Sequence, residues 1–510
     1  MQAPLMAINS GFDNQKYLER QTAAILERVD RFGNKLYLEF GGKLMFDYHA
    51  ARVLPGYDPN VKMRLLQRLR GKADIILCLY AGDIERKKIR ADFGITYDSD
   101  ALKLIDDLRS WNIHVTALVI TRYEDQPSAQ VFKNRLERRG GVRVYTHRPT
   151  RGYPTDVDRI VGDEGYGANP FVETSHPLVV VTGPGPGSGK LATCLSQLYH
   201  EQRRGVSAGY AKFETFPVWN LPLKHPVNVA YEAATADLGD YNQIDSFHLE
   251  AYDQRAVNYN RDMDAYPVLD RILARIIGEQ KAYRSPTDMG VNQVAVGIVD
   301  DEAVRAAARQ EIIRRYFRAT CEYAMGLTEK AVVYRIEVLL ESLNLRVEDR
   351  TVVAPARAAA EQAQAGGKGC DGFFCGGALE LPDGRVVVGK NSPVMHAASS
   401  LVLNAVKTLA GIPDPIHLLP PAILESITQF KRNILGRTTI SLDLDETLTA
   451  LCIGGITNPA AQAALEELKQ LRGCEAHLSH IPSEGDQAGL RRLGINLTSD
   501  AAFSTKNLLA

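Results

Sequence analysis

Along the first half of the chain, short runs of valine, isoleucine and leucine alternate with longer stretches whose apolar residues recur every three or four positions. The segments KLYLEF, ADIILCLYAG, HVTALVITRY, VRVYTHRP, PLVVVTG and SAGYAKFETF read as strands. A helical opening over residues 17–30 precedes them, and DALKLIDDLRSW, SAQVFKNRLERR and LATCLSQLYHEQRR read as helices. Uninterrupted apolar runs belong to strands buried on both faces. Such strands, separated by helices of roughly 10–15 residues, predict an α/β fold with a mainly parallel sheet. Ligands of such sheets sit in loops at the carboxyl ends of the strands.

The pattern then changes. Residues 235–345 are mostly helical, with EAVRAAARQEIIRRYFRATCEYAMG and KAVVYRIEVLLESL carrying helical spacing. RAAAEQAQAGGKGCDGFFCGGA is rich in small residues and glycine and reads as a loop or linker. A last α/β unit follows. LELPDGRVVVGK is a strand pair turning at Asp-Gly, and AASSLVLNAVKTLAG is a helix ended by Gly411. NPAAQAALEELKQLRG, CEAHLSHIP, EGDQAGLRRLG and INLTS continue as helix, strand, helix and strand. The expected organisation is an α/β core over 1–234, a helical region over 235–345 and a C-terminal α/β subdomain over 346–510.

Composition narrows the class. In 510 residues, 60 Lys and Arg face 61 Asp and Glu, for a net charge of -1. That balance argues against a nucleic-acid binder, which needs a basic excess. The seven cysteines are scattered and odd in number, as expected of a reduced, cytoplasmic protein. The first residues show no basic and apolar leader, and no apolar run reaches the ~18 residues of a membrane span. No membrane partner and no metal site are expected.

The most informative stretch is LVVVTGPGPGSGKLATCLSQL, a strand running into Gly183, Gly185, Gly187, Ser188, Gly189 and Lys190 and then a helix. In this layout backbone N–H groups wrap a phosphate, and the helix N-terminus adds positive potential. The match to G-x-x-x-x-G-K-[ST] is imperfect. The leading glycine falls one position early, at Gly183. Leu191 stands where the Mg²⁺-binding hydroxyl belongs. Thr193, two residues further on and on another side of the helix, is counted with the loop. A phosphate cradle therefore fits better than Mg²⁺-assisted hydrolysis. A nucleotide is the one cofactor implied, and Mg²⁺ is not assured.

Other polar segments offer candidate contacts. LEFGGKLMFDYHAARVLPGYDP sets Lys43 beside Gly-Gly, with Glu39, Asp47, His49 and Arg52 nearby. KFETFPVWNLPLKHPVN follows a strand on the same rim and supplies Lys212, Glu214, Asn220, Lys224 and His225. NYNRD and RSPTDMGVN are similar in kind, the latter offering Asp288. Lys212, Lys224 and His225 would add positive charge along the rim. Asp300 and Asp301 end an apolar run and read either as functional acids or as helix caps. SLDLDETLT carries a phosphatase-like D-x-D-x-T at Asp443, Asp445 and Thr447, but too little chain follows for that domain. His200 and Glu201 begin a zinc-protease motif whose second histidine is Arg204.

VTGPGPGSGKLATCLSQLYHEQRRG, AGYAKFETFPVWNLPLKHPVN, RSPTDMGVN, QEIIRRY and LRGCEAH together resemble the bacterial family catalogued as uncharacterised protein family 0371, or domain of unknown function 1846. The resemblance covers nearly the whole chain. It implies a multi-domain cytosolic protein with an α/β core, a helical insertion and a C-terminal α/β subdomain, and it names no reaction. The C-terminal unit is also similar in layout to cytidine-deaminase-like folds, with His396 near the zinc-ligand position. Ala398, Ala460 and Ala463 stand where the catalytic Glu and two cysteines belong, so the zinc chemistry is absent. The expected function is binding of a nucleotide or phosphorylated small molecule, with phosphoryl transfer as the reaction such a loop would serve. A homo-oligomer is expected. The alternative is a non-catalytic assembly or regulatory protein whose glycine loop is structural.

Overall fold

A computed structural model describes residues 11–33, 35–90, 94–278, 282–436 and 440–506. The first residues, 1–10, where no leader pattern was read, lie outside them. The chain divides into two compact units, residues 1–311 and 312–510. The first takes in the expected core and most of the expected helical region.

The sheet of the first unit contains β1 (Leu36–Phe40), β2 (Ala73–Tyr80), β3 (Ala117–Thr121), β4 (Arg143–Thr146), β5 (Leu178–Thr182), β6 (Gly209–Phe213) and, after a two-stranded ribbon of β7 (Asn242–Ile244) and β8 (Val257–Tyr259), the short β9 (Gly290–Val291). Its seven strands run β9-β6-β1-β5-β2-β3-β4, and every pairing is parallel. β1, β3 and β5 are buried along their whole length, as their unbroken apolar runs require. The helices include α1 (Asn14–Arg31), α2 (Tyr97–Ser110), α3 (Pro127–Arg139), α4 (Lys190–Arg203), α5 (Pro226–Ala234), α6 (Asn260–Ile277) and α7 (Asp301–Ala324), within which the division of units falls.

Strand order sets the position of the site. β5 enters late in the chain yet inserts between β1 and β2, and β6 then pairs on the far side of β1. The loops after β1, β5 and β6 are therefore neighbours on one rim. One face of the sheet presents Tyr37, Val179, Val181 and Tyr210 to Cys194 and Leu198 of α4 and to Tyr266 and Ile272 of α6, in one continuous core. Burying each such side chain contributes roughly 1.5–3 kcal/mol. Among the described residues, no helix is long and apolar enough to cross a membrane.

The second unit contains α8 (Lys330–Ser342), α9 (Val353–Ala365), a hairpin of β10 (Gly376–Glu380) and β11 (Val386–Lys390), α10 (Ala397–Leu409), α11 (Leu444–Gly454), β12 (Glu475–Leu478), α12 (Glu484–Leu493) and β13 (Asn496–Ser499). Its sheet runs β11-β10-β12-β13, with only the β12–β13 pair parallel. The hairpin turns at Asp383 and Gly384, whose φ of +83° suits the turn. Gly411 follows α10 with φ +65°.

One segment corrects the sequence reading. RAAAEQAQA is not a linker but most of α9. Ala356, Ala359 and Ala363 form a flat buried stripe, and a side chain at Gly376 would collide with the Ala356 carbonyl. Small residues here mark a helix lying close on a strand, not a break in structure.

Arg350 pins the segment before α9 to the sheet. It is 1% exposed. Its guanidinium donates to Glu475 Oε2 at 2.6 Å, Thr498 Oγ1 at 2.9 Å, Ala476 O at 3.1 Å and Asn496 O at 2.9 Å. Arg350→Ala removes all four bonds and leaves buried acceptors unsatisfied. It should cost the second unit about 3 kcal/mol or more, read by urea denaturation.

Candidate functional site

The glycine-rich loop leaves β5 at Thr182 and enters α4 at Lys190. Gly187 and Gly189 have φ of +72° and +90°, a region that other residues enter only with strain. Gly189 must also lack a side chain because a Cβ there would lie 2.7 Å from Thr121. The loop carbonyls are drawn away by side chains. Thr121 Oγ1 donates to Ser188 O at 2.8 Å, Arg122 donates to Gly187 O, and Lys190 Nζ donates to Gly185 O at 3.3 Å. Arg122 is itself held over the Tyr80 ring, 3.4 Å from its centroid. Among the described residues, no protein acceptor engages the backbone N–H groups of Gly185, Gly187, Ser188, Gly189, Lys190 and Leu191. Successive free N–H groups ahead of a helix N-terminus form a concavity of positive potential. Lys190 Nζ, also 3.5 Å from Ser188 Oγ, stands over the loop.

The remaining loop candidate does not join this group. Thr193 is 1% exposed, and its hydroxyl accepts from Cys78 Sγ at 3.4 Å beneath α4. Its hydroxyl therefore does not stand in for the one missing at Leu191. Lys43 does reach the loop's vicinity: it lines one cleft with Phe46, Asp100, Lys103, Gly183 and Pro184.

Beside the loop, at the ends of β1 and β6, lies a cluster of opposite character. Lys212 Nζ meets Asp262 of α6 at 2.5 and 2.6 Å, Glu214 Oε1 at 2.9 Å and the Tyr259 hydroxyl. Tyr259 donates to Glu214 Oε1 at 3.0 Å, and Tyr210 donates to Glu39 Oε2 at 2.8 Å. Lys212 was expected to add positive charge to the rim, but Asp262 and Glu214 neutralise it on the spot. Burial by itself would lower the Lys212 pKa, yet Asp262, Glu214 and Glu39 hold it well above its ordinary value. Burial, reinforced by the charge of Asp262, pushes the Glu214 carboxyl up to about 7.

His225 is not a rim cation either. Its Nδ1 accepts from Val227 N, capping α5, and its Nε2 donates to Asp301 Oδ1 at 2.9 Å. Burial lowers its pKa, in keeping with a neutral ring. Asp300 caps α7 by accepting from Ala303 N at 3.0 Å, while Asp301 holds His225 and Arg305. Asn220 and Lys224 are exposed on the segment before α5. Asp288 lies ahead of edge strand β9, where it accepts from Tyr252 at 3.0 Å and Arg284 N at 3.2 Å, and it is not among the loop's contacts. Thr121 and Arg122 were missed from sequence. Their signal is position: they end the strand next but one to β5.

In the second unit, Asp443 caps α11 in a reciprocal box with Glu446, so the D-x-D-x-T spacing is a helix start. Asp445 pairs with Arg492 at 2.7 Å. His396 stands at the residue before α10 without a side-chain capping bond, and its Nδ1 lies 2.7 Å from Asp486 Oδ2. Asp486 also accepts from Leu444 N and Ser483 Oγ, both at 2.9 Å.

Comparison with known proteins identifies the lineage. Residues 10–344 match the family described as domain of unknown function DUF1846, N-terminal, and residues 348–509 match its C-terminal counterpart. A UPF0371 protein of Clostridium tetani (strain Massachusetts / E88) is 56% identical over 499 residues, covering 98% of this chain and 99% of that protein. A UPF0371 protein of Clostridium botulinum (strain Alaska E43 / Type E3) is 55% identical over 501 residues, with the same coverage. The chain belongs to this family.

The Glu214 carboxyl gives the rim a measurable signature. A carboxyl whose folded pKa exceeds its unfolded value stabilises the fold while protonated. That contribution is complete below about 4.5 and is lost as pH rises through about 7. Glu214→Gln should match the parent's melting temperature near pH 4 and exceed it near pH 8, in thermal melts across that range.

Proposed function

We propose that this protein binds a phosphorylated small molecule or nucleotide in the cytoplasm through residues 183–190. One observation carries the reading: the loop's N–H groups have no acceptor among the described residues, while its carbonyls are held by Thr121, Arg122 and Lys190. A loop with only a structural task would bond its amides internally, because buried or half-buried N–H groups are rarely left unpaired. Phosphate oxygens are the complement to such a cup, and the Lys190 ammonium adds a charge-assisted bond.

Binding is better supported than metal-assisted turnover. Leu191 offers no metal-ligating oxygen, and the Thr193 hydroxyl is buried against Cys78. If phosphoryl transfer follows binding, positioning and charge stabilisation would carry it. The hairpin-then-helix layout around His396 is in keeping with a deaminase-like subdomain without its chemistry, since Ala398, Ala460 and Ala463 ligate nothing.

A ligand that binds only the folded state raises the melting temperature. Inorganic phosphate, sugar phosphates and nucleotides should include at least one that stabilises the parent protein. Lys190→Ala should reduce that shift by an affinity loss of about tenfold or more. A panel without effect on the parent, together with a stable oligomer by light scattering, favours the assembly reading instead.

A further inference from the structure

Helix α8 is apolar on two sides. Val333, Ile336 and Leu340 are buried. Ala331, Tyr334 and Val338 are exposed, Tyr334 at 66% and Val338 at 44%. With about 3.6 residues per turn, these three share one face with Lys330 and Glu341, turned away from the buried stripe. Tyr323, Met325 and Leu327, on the end of α7 and the turn into α8, are exposed as well. Single exposed apolar residues are ordinary, but a contiguous row marks a surface that another surface covers. A helix apolar on both sides is ordinarily covered on both.

The charges at the two ends of this face are set against the helix. Lys330 is its first residue, and Glu341 stands in its last turn. The helix dipole favours the reverse, an acid at the N-terminus and a base at the C-terminus. Both residues are exposed, and among the described residues neither side chain has an ion-pair or hydrogen-bond partner. At roughly 1.5 Å per residue they stand about 16 Å apart along the axis, with Tyr334 and Val338 between them. An antiparallel helix of the same sequence supplies what is missing. With a two-fold axis level with Ile336, Tyr334 meets the partner's Val338, and Lys330 lies within about one residue of the partner's Glu341. Each charge then also faces the end of the partner's helix dipole that attracts it.

We propose that the exposed face of α8 is an interface with a second copy of this chain, in which two α8 helices pack antiparallel about a two-fold axis. The occupant follows from the pattern. A face with opposite charges at nearly equal distances from an apolar centre is complementary to itself, as a closed two-fold contact requires. The inference is independent of the glycine loop.

Sedimentation equilibrium on the full chain tests the proposal. The parent should be a dimer at micromolar concentration. Tyr334→Glu should weaken dimerisation about 100-fold or more, through the loss of two central aromatic contacts, while keeping the parent's helix content by circular dichroism. Lys330→Glu and Glu341→Lys, measured singly, should each weaken it about tenfold. Mixed in equal amounts, these two variants should form a heterodimer of near-parental affinity, because each reversed charge then meets its opposite. A monomeric parent overturns the proposal and leaves the face to a different protein. A dimer that Tyr334→Glu leaves intact is held elsewhere and also overturns it. A mixture that associates no better than either variant alone shows that Lys330 and Glu341 do not meet, and overturns it too.

Discussion

A chain can turn a run of backbone N–H groups toward a ligand only if the matching carbonyls are held elsewhere. The rim of the parallel sheet meets that constraint with three side chains. Thr121 and Arg122, at the end of one strand, take two carbonyls of the loop that follows another, and Lys190 takes a third. Glycine at 187 and 189 supplies the positive φ values that the alternating carbonyl directions demand. The sheet is as much the frame of the site as its support, since strand order decides which side chains reach the loop.

The charge along that rim is divided. At the loop the potential is positive, from amides, the α4 terminus and Lys190. One strand beyond β1, three carboxylates outnumber the single Lys212. A cluster of this kind is not favourable for stability: desolvating the carboxylates costs more than one ion pair returns, which is why Glu214 retains its proton so far up the pH scale. Arg350 in the second unit is the contrast. Every donor direction it uses ends on a carboxylate, hydroxyl or carbonyl, and its task is to fasten a helix to a sheet.

Much of this fold is legible in the sequence. Unbroken apolar runs such as LVVVT and ALVIT can be buried on both faces only in a parallel sheet, and the glycine and lysine pattern after LVVVT is readable at sight. What escapes sequence reading is what depends on strand order. Arg122 and Gly187 are 65 residues apart, and Lys212 and Asp262 are 50 apart. Lys212 looks like a free cation until α6 brings its carboxylate. His225 looks like a ligand until its ring is seen capping α5 and meeting Asp301. The alanine-rich stretch at α9 resembles a linker because small residues serve both flexible chain and closely packed helices, and only the glycine opposite, Gly376, distinguishes them.

The Lys190 ammonium, resting on Gly185 O and Ser188 Oγ at 3.3 and 3.5 Å, has a kinetic consequence. Those contacts are long and weak, so on the binding reading proposed above the ammonium would leave them at little cost to meet an incoming anion. Meanwhile the Thr121 and Arg122 tethers fix the backbone before any encounter, and its ordering entropy is met during folding. On that reading capture would require one side chain to swing and no main-chain rearrangement. Association would then be limited by diffusion and by electrostatic attraction rather than by loop closure.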